Sequence, residues 1–328
     1  MAQKRDLFWD SLKFNLIFLV VLGHFLELHL LQHSDGRVLY NMIYLFHMPL
    51  FVFISGRFSI IRDRGKYLKG IKRLLKLFLI FHGLQFLIFW LTGLESNPWH
   101  ILSTTFAMWY LLSLVWWRLM LWLIPEQWLE EHKGLFLGVS IAVAMVIGLV
   151  PLDKQLAFQA TLSYLPFFLL GYYSKDIDLK RMLRKIPWWV AASVIVLTFI
   201  IVYVWFNKPL HDLYFNTTYW ASGYWHLKER VLTRPILMVV ATILGICVMR
   251  VSPSAEWMGK YGRNTLYIYL GHVFVRLILI KLINHHYLSD RLYAIILYAV
   301  VVTALLAGWS YWRDQRRTHC QCKSQVDK

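Results

Sequence analysis

The chain has 328 residues, of which 58% are hydrophobic and 16% charged, with 35 Lys and Arg against 18 Asp and Glu for a formal net charge of +17. A water-soluble domain carries about 25% charged residues, so this composition excludes a soluble globular fold. The positive excess sits at the ends of apolar runs instead of on one polar face, which excludes nucleic acid as its partner.

A helix needs about 20 apolar residues to cross a bilayer. Ten segments are read as spans, at 11–32, 40–61, 74–94, 104–124, 134–150, 160–174, 188–206, 231–250, 264–284 and 291–312. The sixth is short and contains Pro166, as a tilted or re-entrant segment would. The fold class expected is therefore all-α: a polytopic transmembrane helix bundle. Residues 1–312 form a single membrane-embedded domain and 313–328 a short basic tail.

The first segment contains Lys13, His24 and Glu27 and lacks a small-residue cleavage site, so it is read as retained and not as a removable signal. Ionisable side chains are expensive in lipid and normally face a protected interior, which makes them functional candidates. A neutral imidazole titrating near physiological pH suits His24 to general-base work. Glu27, three residues on, shares its helix face and can orient the ring. The competing reading is a histidine satisfied by a backbone carbonyl between packed helices.

The second segment runs through Phe46-His47-Met48-Pro49-Leu50-Phe51-Val52-Phe53-Ile54-Ser55-Gly56. Small residues such as Ser55 and Gly56 predict close helix approach. No Gly-x-Ser-x-Gly elbow surrounds Ser55, so it is not read as a nucleophile.

Arg57, Arg62, Arg64, Lys66, Lys69, Lys72, Arg73 and Lys76 follow, with Asp63 the sole acid among them. The connections around Lys175–Lys185 and Arg250–Arg263 and the tail from Arg313 are also basic, whereas the alternate connections carry little positive charge. Lys and Arg accumulate on the cytoplasmic side, so this parity places both termini there. By the helical rise, His24 lies roughly 16 Å past Lys13, His47 about 15 Å from Arg57, and His272 about 13 Å past Arg263. Three histidines thus fall at one level near mid-membrane, with His82 some 9 Å past Lys76.

Arg118 and Arg276 also fall within spans. Arg276 is four residues after His272, placed to stabilise a developing oxyanion. The segment Asn207–Arg230 is rich in aromatic residues, which fit an interfacial belt and would also stack on sugars. Of the three cysteines, Cys247 is in an apolar run and Cys320 and Cys322 in the tail, which predicts neither a disulfide framework nor a zinc site. No metal is expected. Val21-Leu22-Gly23-His24 is faintly echoed by Tyr269-Leu270-Gly271-His272, too briefly to indicate duplication.

Lys13-x10-His24 and the Phe46–Gly56 run resemble the first- and second-helix motifs of the acyltransferase-3 family, particularly its fucose 4-O-acetylase-like branch. Trp109-Tyr110-Leu111, Leu165-Pro166-Phe167-Phe168-Leu169-Leu170-Gly171-Tyr172 and Gly262-Arg263-Asn264-Thr265-Leu266-Tyr267-Ile268-Tyr269-Leu270-Gly271-His272 resemble its later motifs, in the same order. The resemblance implies a bacterial inner-membrane O-acyltransferase that moves an acetyl group from acetyl-CoA to a hydroxyl of an envelope glycan or glycolipid.

His24 then matches the essential first-helix histidine, as base or acyl carrier, and Lys13 its basic partner. Glu27, His47 and His272 complete the expected catalytic set. Lys69-x-x-Lys72 or Arg73-x-x-Lys76 stands where the family has Arg-x-x-Arg. These four residues are expected to bind the phosphates of coenzyme A by charge-assisted hydrogen bonds, although lysine lacks the bidentate fork of arginine. The alternative class is a polytopic transporter or flippase with proton-relay histidines, a reading weakened because no inverted repeat is visible.

Overall fold

The computed structural model describes residues 6–30, 36–93, 97–104, 107–150, 154–205, 227–282 and 291–326, with the side chains of 28–30, 98–99, 227–230, 232, 280–282 and 317–326 left aside. Among them the chain is helical with one isolated bridge, Ser103 to Gln155. The helices are α1 (Leu7–Leu30), α2 (Arg37–Arg57), α3 (Arg64–Leu91), α4 (Met108–Leu123), α5 (Glu126–Glu131), α6 (Lys133–Val146), α7 (Phe158–Tyr173), α8 (Leu179–Arg184), α9 (Trp188–Trp205), α10 (Leu227–Val251), α11 (Glu256–Gly262), α12 (Thr265–Leu282) and α13 (Leu292–Val326).

Each apolar segment read from the sequence is helical. Six helices, α1, α2, α3, α9, α10 and α13, are long and apolar enough to cross a membrane, while α4, α6 and α12 contribute shorter apolar stretches. Two boundaries differ from the hydropathy reading by ten residues or more. Helix α3 begins at Arg64, not 74, because Asp63 accepts a hydrogen bond from the Lys66 backbone N–H at 2.8 Å and caps it. That N–H holds the Asp63 carboxyl below its usual range. The basic cluster therefore lies on the first turns of a helix, not in a loop. Helix α13 likewise continues through Val326, past the end of its apolar stretch.

The chain forms two compact units. The first comprises residues 1–47, 186–209 and 246–328. Here α1 packs on α11, α12 and α13. A Cβ on Gly262 would land on the Asp10 carbonyl, so α1 and α11 meet backbone to backbone. Ser11 Oγ donates to the Ala255 carbonyl at 3.2 Å and Asn15 Nδ2 to Ser252 Oγ at 2.8 Å, fixing the rotation of α1.

The second unit comprises residues 48–185 and 210–245. Its core joins α3, α4, α6 and α7. A Cβ on Gly56 would overlap the Phe168 carbonyl and one on Gly171 the Phe53 carbonyl. Glycine is thus required on both sides of one α2–α7 crossing, the small-residue approach expected at Ser55-Gly56. Pro166 is accommodated within α7. Arg57 donates to the Ser174 and Ile177 carbonyls past the end of α7, and Arg64 Nη2 to the Trp122 carbonyl at 2.5 Å. Those two cations cap helix C-termini, where positive charge is favourable.

The turn before α7 is tied down from several sides. Leu156 and Ala157 have φ of 47° and 56°, a left-handed conformation that costs non-glycine residues about 1–3 kcal/mol each. Leu156 N–H donates to the Leu102 carbonyl at 2.8 Å, Thr104 N–H to the Lys154 carbonyl at 2.9 Å, and Trp116 Nε1 to the Leu156 carbonyl at 3.2 Å.

Candidate active site

The first unit gathers the expected catalytic residues from α1, α2 and α12. The His24 and His272 rings stack with centroids 5.3 Å apart and planes inclined by 29°. His24 Nδ1 lies 3.4 Å from Glu27 Oε1, an ion-pair separation without good hydrogen-bond geometry. Glu27 is itself held twice. Arg276 Nη2 reaches its Oε2 at 3.1 Å, and the Tyr44 hydroxyl donates to its Oε1 at 2.7 Å. A half-buried carboxylate in a membrane helix is costly without such partners.

Glycines make these approaches possible. A Cβ on Gly23 would lie 3.0 Å from Tyr44 Cε2, and one on Gly271 would lie 2.8 Å from Leu306 Cδ2. Each histidine of the stacked pair is thus preceded by a glycine that admits a neighbouring helix.

The three histidines are not equivalent. His47 and His272 are buried, and each uses Nδ1 to donate to the carbonyl four residues earlier, Ile43 at 2.7 Å and Ile268 at 3.1 Å. A carbonyl only accepts, so Nδ1 carries the hydrogen and Nε2 of a neutral ring is the acceptor. His272 Nε2 is buried and has no hydrogen-bond partner among the described residues. His24 makes no such backbone bond and faces a carboxylate instead. A carboxylate beside Nδ1 orients the ring and stabilises the imidazolium, leaving Nε2 to accept a proton.

Lys13 is placed apart from this group. It pairs with Asp10 at 2.6 Å, eleven residues before His24 on α1. His47 connects to the centre through Tyr44, whose ring it meets edge-on at 4.7 Å. In the second unit, Lys69, Lys72, Arg73 and Lys76 are all exposed on α3. Their i, i+3, i+4, i+7 spacing puts them on one stripe. His82 is also in this unit, where Nε2 donates to the Ile101 carbonyl at 2.7 Å. Arg118 Nε lies 3.3 Å from Ser59 Oγ, with its guanidinium over the Tyr67 ring at 5.3 Å.

Tyr44 is a member of the centre that sequence reasoning missed. Its only signal is its place three residues before His47, and in a chain with 18 tyrosines that singles out nothing. Arg276 was legible as a charge near His272, but its pairing with Glu27 was not. The aromatic segment between α9 and α10, including Tyr214, Phe215, Tyr219, Trp220, Tyr224 and Trp225, lies outside the described residues. No group of three or more His, Cys, Asp or Glu among the described residues is arranged to hold a metal ion.

A family model described as an acyltransferase domain matches residues 6–312. Two curated relatives match over short stretches. Nodulation protein NolL of Sinorhizobium fredii is 48% identical over 58 residues, 17% of this chain and 16% of that protein. Nodulation protein NolL of Mesorhizobium japonicum is 44% identical over 61 residues, 18% of this chain and 16% of that protein. The matched stretches therefore span about a sixth of either relative's length. No solved structure matches.

Proposed function

From the premise that the chain belongs to this acyltransferase family, and is a membrane acyltransferase, we propose that it moves an acetyl group from acetyl-CoA to a hydroxyl of an envelope glycan or glycolipid at a bacterial inner membrane. The observation that carries the reading is the pairing of His24 with a doubly held carboxylate and a stacked second imidazole.

In the proposed reaction, His24 Nε2 takes the proton of the acceptor hydroxyl as the oxygen attacks the thioester carbonyl. The C–S bond then breaks, and the departing thiolate recovers that proton from the imidazolium. In the two-step form, His24 Nε2 attacks the thioester carbonyl and the C–S bond breaks to release the thiolate. The acceptor oxygen then attacks the acetyl-imidazole, its C–N bond breaks, and the hydroxyl proton ends on the thiolate as free coenzyme A. Glu27 orients His24 and stabilises its cationic form, while Arg276 and Tyr44 hold Glu27 in place. His272 and His47 line the centre with acceptor nitrogens, and Lys13 anchors the base of α1 through Asp10. Lys69, Lys72, Arg73 and Lys76 offer four cations on one helix stripe to the phosphates of coenzyme A.

Residues 1–312 act as one acyltransferase domain in this reading, a range close to the 6–312 family match, with 313–328 as a basic tail. Both termini are cytoplasmic.

The testing experiment is turnover by the purified protein in detergent, where no gradient exists. Release of free coenzyme A from acetyl-CoA, stimulated by added envelope glycan, is the expected result. Silence toward acetyl-CoA and other acyl-CoA donors would reject the reading, since a gradient-driven transporter is the class that stays silent there.

A further inference from the structure

Within the second unit, Gln159 is the least explained polar side chain. It is 1% exposed, and among the described residues neither its Oε1 nor its Nε2 has a hydrogen-bond partner. Buried polar groups are almost always paired, so one left open calls for an explanation, such as local strain, an internal water or a bound group. Both halves of the amide are open, so the missing partner both donates and accepts. A hydroxyl group does both.

The surroundings narrow the class further. Ser163, one helical turn along α7, shares the face of Gln159. It receives a hydrogen bond at 3.1 Å from Nη1 of buried Arg234, which also reaches the Ala144 carbonyl at 3.1 Å. The next residue, Tyr164, stacks on Trp109 with centroids 5.0 Å apart and planes 16° from parallel. Within six residues α7 thus carries an amide, a hydroxyl held by a guanidinium and one ring of a flat aromatic pair, the group types that meet the edge hydroxyls and C–H faces of a saccharide.

The position also offers access. Lys154 and Gln155 are exposed in the turn that leads into α7, and Gln159 is the second residue of that helix. Between them are Leu156 and Ala157, the two left-handed residues, held in place by the Leu102 carbonyl and the Trp116 indole. Strained backbone of this kind persists where neighbouring structure enforces it, and it concentrates at ligand clamps. The charge asymmetry of the connections puts this turn on the outer side of the membrane, where an envelope glycan is found.

We propose that Gln159, with Ser163 and Arg234, forms a saccharide-hydroxyl subsite beneath the Lys154–Ala157 turn. Its identity as the acceptor's subsite rests on the acyl-transfer reading, but sugar binding itself does not. The test is therefore made without donor or turnover.

The purified full-length chain is titrated calorimetrically with the methyl glycosides of glucose, galactose and N-acetylglucosamine, alongside Gln159→Leu and Gln159→Met. At least one glycoside should bind the native chain, and both variants should weaken it tenfold or more. The variants should also melt at a higher temperature than the native chain, because each removes a buried polar group that lacks a partner when the site is empty. A glutamine that merely bonds an internal water predicts the opposite, lower melting with binding unaffected. The proposal is overturned if no glycoside binds the native chain, if the variants bind as the native chain does, or if binding and melting temperature fall together. None of these outcomes bears on whether acetyl-CoA is turned over.

Discussion

Replacing His24 with alanine should lower acetyl transfer by roughly 10²–10⁴-fold, the usual contribution of a positioned general base. That range corresponds to about 2.7–5.5 kcal/mol of transition-state stabilisation. If His24 carries the acetyl group covalently, the loss is complete, because no residual one-step route replaces the relay. The fold should survive. The His24 side chain is 15% exposed, and its Nδ1 makes no hydrogen bond whose loss would leave a partner stranded. His272 is not equivalent, since its Nδ1 is committed to the Ile268 carbonyl, whereas the Nδ1 of His24 lies beside Glu27. Transfer by purified protein, normalised to the folded fraction from its melting curve, is the measurement. Near-native transfer by His24→Ala would remove both catalytic routes.

Gly56→Ala and Gly171→Ala should each cost the protein much of its stability. A Cβ at either position would overlap a backbone carbonyl of the facing helix, and a rigid backbone cannot rotate away as a side chain does. Overpacking costs about 1–3 kcal/mol where side chains can adjust, and here the cost lies at or above the upper end. For a unit of this size that is a fall of roughly 6–12 °C in melting temperature. Gly83→Ala is the control. No atom lies within 4 Å of a Cβ there. In mid-α3, alanine should be neutral or should stabilise by about 0.5–1 kcal/mol. Scanning fluorimetry in detergent checks all three, and equal melting of Gly171→Ala and native protein would contradict the backbone-contact account.

These glycines show what sequence alone conveys and where it stops. Apolar runs locate helices because lipid tolerates no unpaired backbone, so every segment read as a span is helical. Hydropathy places the start of α3 too late, since Lys69, Lys72 and Arg73 break the apolar window without breaking the helix. The motifs ending in Gly56 and Gly171 read as separate signatures far apart in the chain, and only the structure reveals that each glycine exists for the other. The same holds at the centre. Gly23-His24 and Gly271-His272 looked like a brief echo, yet they put two imidazoles face to face across α1 and α12.

Local spacing suffices when both partners lie on one helix. An i, i+3 separation pairs Glu27 with His24, and the structure sets them 3.4 Å apart. Tyr44 and Arg276 reach Glu27 from other helices, and no periodicity encodes that. The resemblance, in turn, pairs Lys13 with His24 as its basic partner, and the structure shows that the Lys13 ammonium also bonds Asp10 within one turn. Gln159 left no trace in the sequence, because an unpaired amide can be recognised only once its surroundings are known.

The central claim is that His24 and Glu27 act as one device. The direct measurement is kcat/KM for the native chain, His24→Ala, Glu27→Gln and the double variant, each corrected for folded fraction. Residues that work through each other give non-additive losses. The double variant should therefore be no slower than His24→Ala alone. Losses that multiply, with the double variant slower by the product of the two single effects, would show two independent contributions and contradict the claim.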